Sequence, residues 1–133
     1  MTKIINDYPP NYTDIEAILQ SGNNAVFAYS NIIYNPHAKH VDKYCIAHEK
    51  VHFRQQKKIG DVDVWWDQYL SDVNFRVDQE VEAYRAQYRL AKRLNPTKQE
   101  TNRWYAEQLA KSLSGETYGN CISFDEALKR ITS

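Results

Sequence analysis

Hydrophobic positions recur along most of the chain with a helical period. Val77, Val81, Tyr84, Tyr88 and Ala91 follow one another at spacings of four, three, four and three, which predicts an amphipathic helix over residues 72–94 with this stripe on a core. Residues 41–58 contain neither Pro nor Gly and are closed by Gly60, so a second helix is expected there. Thr97 with Glu100, Ser123 with Glu126, and Thr13 with Glu16 have the spacing of capping boxes. They predict helices over residues 97–114, 124–131 and 14–20, the last ended by Ser21-Gly22-Asn23-Asn24. Trp104, Tyr105, Leu109 and Leu113 are the expected buried positions of the first of these. Residues 61–70, acidic and aromatic, read as a helical or irregular connector whose tryptophans cover the core.

The period changes only near the start. Residues 25–29 and 32–34 are rich in β-branched and aromatic side chains and flank Ser30-Asn31, which predicts a small antiparallel hairpin stopped by Asn35-Pro36. Tyr8-Pro9-Pro10-Asn11 reads as an extended lead-in. The fold class that follows is α+β, mainly helical, with the hairpin or a three-stranded sheet beside the helix of residues 41–58.

A length of 133 residues suits one domain, taken as residues 1–133. Lys plus Arg and Asp plus Glu both number 17, so the overall charge points to neither a nucleic-acid nor a membrane-surface partner. No stretch approaches transmembrane length and residues 1–10 lack the apolar centre of a signal peptide; the expected location is the cytoplasm. Cys45 and Cys121 form no Cys-x-x-Cys pair, and Cys45 is expected to pack as a small apolar side chain.

Candidate chemistry centres on His48-Glu49-Lys50-Val51-His52. On a helix, positions four apart share a face, so both imidazoles can aim at one tetrahedral metal ion. Glu49 stands beside them, where a carboxylate can take a proton from water. The bland reading is a surface helix with two histidines and an acid. A third ligand is needed, and two glutamates compete. At about 100° per residue, Glu80 lies roughly 60° from the middle of the apolar stripe and Glu82 roughly 140° away. Glu82 therefore belongs with Asp78, Arg85 and Arg89 on the wet face, pairing with Arg85. Glu80 belongs at the edge of the core, where a carboxylate is costly unless protonated, paired (Arg54 is one possibility) or bound to metal.

His48-Glu49-Lys50-Val51-His52 followed by Glu80-Val81-Glu82-Ala83-Tyr84 resembles the zincin metallopeptidases, and within them the gluzincin type, whose third ligand is a Glu on a later helix. Glu80 and Ala83 match the Glu-x-x-Ala of small members; size and motif pair look similar to compact phage or bacterial metallopeptidase-like proteins. The resemblance implies a minimal zincin fold with Zn2+ held by His48, His52 and Glu80. It implies hydrolysis of a peptide or protein substrate with Glu49 as general base. It also implies an edge strand, Ile32-Ile33-Tyr34, that pairs with extended substrate. Gln55 and Lys58 stand where the extended metzincin motif has Gly and His, and Tyr84 where relatives often carry an acid that orients a histidine, so the ligands' own supports are unassigned. No transition-state stabiliser is identifiable; Tyr118, His37 and His40 are candidates by residue type only, each with a structural or exposed role as the alternative. The alternative class is a zincin-fold zinc-binding or partner-binding module without peptidase activity.

Overall fold

The computed structural model describes residues 2–21 and 25–133, so the Gly22-Asn23-Asn24 part of the expected turn lies outside the described residues. Ser30 and Asn31 both have positive φ, 53° and 69°, as a tight hairpin turn matched to strand twist requires. They join β2 (Phe27–Tyr29) to β3 (Ile32–Tyr34) in antiparallel register, Ala28 opposite Ile33. A strand that pattern reading did not foresee, β1 (Lys3–Ile5), pairs with β3 in parallel, Ile4 opposite Ile33. The sheet order is β1-β3-β2.

That order corrects the expectation for Ile32, Ile33 and Tyr34. They form the central strand, with a neighbour on each side, and have no free edge to offer a substrate. The middle of β2 is no substitute. Its Ala28 carbonyl accepts from Gln56 Nε2 at 2.8 Å and Trp66 Nε1 at 3.0 Å, tying the strand to the helices beneath it.

The helices follow the hydrophobic pattern closely, but their caps do not all follow the capping-box signals. α1 (Tyr12–Leu19) starts at Asn11 with no side-chain cap, so Thr13 sits inside the helix. α2 (Lys43–Ile59) is capped by Asp42, whose Oδ1 accepts from the Cys45 amide at 2.8 Å, and is closed by Gly60 at φ 91°. α3 (Val62–Ser71), the expected connector, is a full helix capped by Asp61. Asp72 ends α3 and caps α4 (Val73–Leu94), so the chain turns there without a loop. α5 (Gln99–Leu113) starts at Lys98 with no side-chain cap; Thr97 is not used. A short 3₁₀ turn (Glu116–Tyr118) leads to α6 (Phe124–Thr132), whose expected cap residue Ser123 is used: its hydroxyl accepts from the Glu126 amide at 3.1 Å.

Two apolar clusters hold these parts together. Val77 and Val81 of α4 pack with Ala106, Leu109, Ala110 and Leu113 of α5 and with α6, with Tyr84 and Tyr88 at the margin. Trp104 is not among them: it is 61% exposed, one position off the buried stripe that Tyr105 and Leu109 define. The second cluster joins Ile15 of α1 and Phe27 of β2 to Trp65, Trp66 and Tyr69 of α3. Arg76, buried with no acid partner among the described residues, ties the two halves by donating to the carbonyls of Tyr69, Leu70 and Thr117 at 2.9–3.1 Å. α2 crosses between them, packed on α4, and the ligand candidates face each other along this seam. The fold is mainly helical α+β, and among the described residues no helix is long and apolar enough to cross a membrane.

Candidate metal centre

α2 brings His48 and His52 onto one face, as the four-residue spacing requires, and α4 brings Glu80 against them. Glu80 Oε1 lies 2.9 Å from both Nε2 atoms, and the two Nε2 atoms lie 3.2 Å apart. Three ligand-type atoms thus form a small triangle. The face of a tetrahedron with zinc-like bonds of about 2.0–2.1 Å has edges of about 3.3–3.4 Å, so the triangle is of the right order and slightly contracted. Glu80 is 2% exposed and Glu82 is on the surface, in accord with the angular argument. Neither the Arg54 pairing of Glu80 nor the Glu82–Arg85 pair forms; Arg85 instead donates to the Arg130 carbonyl at 2.8 and 3.0 Å.

The second ring nitrogens have partners that pattern reading left unassigned. His52 Nδ1 meets Gln55 Oε1 at 2.8 Å, and Gln55 Nε2 donates to the backbone carbonyl of Gln79 at 3.0 Å. A carbonyl only accepts, so the amide is oriented with its oxygen toward His52, and His52 Nδ1 carries the proton. The Nε2 of a neutral His52 is then a lone pair aimed into the triangle. His48 Nδ1 meets Gln87 Oε1 at 2.5 Å, and Gln87 Nε2 donates to the Tyr105 hydroxyl at 2.9 Å. This support acts as the carboxylate or carbonyl partners of metal-bound histidines do, fixing tautomer and ring orientation. Periodicity could have found both residues: Gln55 lies two turns after His48 and Gln87 two turns after Glu80, each on its ligand's face.

Three acceptors converging in a buried place repel one another unless a cation lies among them. Glu80 Oε2 is also buried with no hydrogen-bond partner among the described residues. With no metal, protons take that place. Burial pushes His52 down, but the Glu80 carboxylate outweighs it and lifts the imidazole to about 9. His48 is shifted upward by the same opposition, and Glu80 is held far below the usual carboxylate range by the two rings, against its burial. The donor set, two imidazoles and a carboxylate, fits a divalent transition ion, and His48, His52 and Glu80 form a group that could hold a metal.

Beside the triangle lies a cavity of about 310 Å³ lined by Phe27, Trp65, Trp66, Tyr69, Glu49 and Tyr118 among others. Glu49 is 6% exposed and forms no hydrogen bond to a described residue; burial, above all, raises its pKa. Of the three residues proposed by type as stabilisers, only Tyr118 reaches the cavity. Its hydroxyl is 3.3 Å from that of Tyr84, whose ring packs edge-on against His48 at 4.9 Å between centroids. Burial drives the Tyr118 phenol well above its ordinary pKa, so it stays a donor. His37 lies away from the site against Tyr8, and His40 is on the surface. Cys45 and Cys121 are free thiols; burial pushes Cys45 to about 12, in keeping with an inert packed side chain, while Cys121 is exposed.

Fold and site together define a mainly helical α+β protein with a His–His–Glu cluster able to hold a metal. No family model matches the chain, and no curated protein or solved structure matches it either.

Proposed function

We propose that this chain is a zinc-dependent peptide hydrolase of the gluzincin type, with His48, His52 and Glu80 as ligands and Glu49 as general base. One observation carries the reading: three acceptor atoms converge in a largely buried seam, each imidazole anchored from behind by a glutamine, and the buried Glu49 carboxylate, without a hydrogen bond to a described residue, opens onto the adjoining cavity. Zinc bound there would polarise a substrate carbonyl and lower the pKa of water. The chain's own residues account for the rest. Glu49, made more basic by burial, takes the proton of the attacking water and passes it to the leaving amine. Tyr118, a protonated donor on the cavity wall, is suited to the oxyanion. The Trp65, Trp66 and Phe27 side chains favour an apolar substrate side chain and exclude water.

A zinc-holding module without peptidase activity is the second reading. It is favoured by the absence of a free strand edge at Ile32–Tyr34 and by the modest cavity. Digestion of a broad peptide library by zinc-loaded wild type and Glu49→Gln separates the two. Cleavage by wild type that disappears in Glu49→Gln, with zinc content equal, supports hydrolysis. Zinc content equal and no cleavage by either supports the module.

A further inference from the structure

The outer faces of α2 and α4, turned away from the ligand cluster, enclose a groove of about 800 Å³. Its rims carry Lys43, Lys50 and Arg54 from α2 and Arg85, Arg89 and Arg93 from α4, against the single acid Glu82. In a chain whose cations and anions balance at 17 each, that is a pronounced local excess. Three of the six are partly engaged within the fold: Arg85 with the Arg130 carbonyl, Arg89 with the Ser133 carbonyl at 3.2 Å, and Lys43 with the Tyr44 ring, 5.5 Å from its centroid. Lys50, Arg54 and Arg93 have neither an ion pair nor a hydrogen bond from their side chains to any described residue. The floor between the rims is apolar, made by the half-buried Ile46, Ala47, Ala86 and Leu90 over the buried Val51.

We propose that this groove docks an acidic amphipathic helix from a partner protein. The apolar floor takes side chains at i, i+3 or i+4 and i+7 of the incoming helix, and the two cationic rims meet the Asp and Glu flanking that stripe. The dimensions suit it: from Lys43 to Arg54, and from Glu82 to Arg93, the groove follows each helix for about 17 Å at 1.5 Å per residue, or three turns of a partner. A nucleic-acid backbone would engage the rims but leave the apolar floor uncovered, and none of the described lining residues offers a ring for base stacking. Because the groove faces away from the triangle, this docking stands whether or not the metal centre hydrolyses peptides.

The test is fluorescence anisotropy of the full chain with a labelled helical probe of about 15 residues, leucines on one stripe and glutamates beside it. Saturable binding is expected, weakening with salt, and weakening about tenfold or more in Lys50→Glu/Arg54→Glu and in a probe with its leucines replaced by alanine. Thermal melting of the variant should match wild type, because both side chains are exposed and unpaired. Failure of wild type to bind the probe overturns the proposal. So does equal binding of the leucine-free probe, tighter binding of a DNA duplex of matched charge, or unchanged affinity after charge reversal. Should the double variant misfold, Arg93→Glu on the opposite rim supplies the same reading independently.

Discussion

Replacing Gln87 by Leu removes the acceptor behind His48 while leaving all three ligands in place. The contact at stake is the 2.5 Å Nδ1–Oε1 hydrogen bond, backed by the 2.9 Å bond from Gln87 Nε2 to Tyr105. A lost hydrogen bond is worth about 1 kcal/mol, and a buried donor left without a partner costs about 1–3 kcal/mol. The His48 side chain is 13% exposed, so water can reach part of the gap and the lower end applies. The expected result is zinc affinity reduced about tenfold, or roughly 1.4 kcal/mol. Gln55→Leu should cost more, toward a hundredfold, because His52 and Gln55 are both buried and water cannot substitute. Gln55 also links α2 to the Gln79 carbonyl of α4, so this variant should lose thermal stability as well. Competition against a chromophoric zinc chelator at neutral pH reads the affinities, and circular dichroism checks the fold. Affinities for both variants within about threefold of wild type would refute the claim that these amides hold the imidazoles for a metal, since that is less than one hydrogen bond.

The remaining expectations concern the same seam and its surroundings. Glu80→Ala should abolish tight zinc binding while the protein still folds, as equilibrium dialysis would show; retained stoichiometric zinc contradicts the ligand assignment. In the metal-free protein, His52 sits at about 9 folded against about 6.5 unfolded, so its pairing with Glu80 adds stability in full below pH ~6.5 and loses it as pH rises through about 9. Chemical denaturation in chelator across that window should show the decline, and added zinc should remove it; a flat metal-free profile counts against the pairing. Gly119 has φ 70°, and a Cβ there would stand 2.8 Å from Val73 Cγ2. Gly119→Ala should therefore cost at least about 1–2 kcal/mol in a urea melt and disturb the neighbouring Tyr118.

The part of the site that obeys a single helical period was legible without coordinates. Two histidines a turn apart, and a glutamate at the edge of a stripe of known phase, have few places to go, and the choice of Glu80 over Glu82 follows from angle alone. What escaped was set by partners distant in the chain. β1 pairs with β3 across α1, and nothing local to Lys3–Ile5 announces that partner; its arrival turned the expected edge strand into a central one. Thr13 and Thr97 have capping-box spacing, yet their helices begin two residues before and two residues after the starts it predicts, and neither threonine is the cap residue. Trp104 looked like core by chemistry, but its phase on α5 points outward. Gln55 and Gln87 were on the right faces and went unread, because a glutamine carries no charge signal until its donor and acceptor partners are seen. The cationic groove was hidden by a net charge of zero, since only the antiparallel packing of α2 on α4 gathers six cations onto one face.

X-ray absorption at the zinc edge, on protein reconstituted with one equivalent of the metal, addresses the central claim directly. One tightly held zinc per chain is expected, in a shell of two imidazole nitrogens and oxygen, with the imidazole signal reduced in His52→Ala and the carboxylate oxygen lost in Glu80→Ala. A chain that retains no zinc, or a coordination shell unchanged by either substitution, would contradict it.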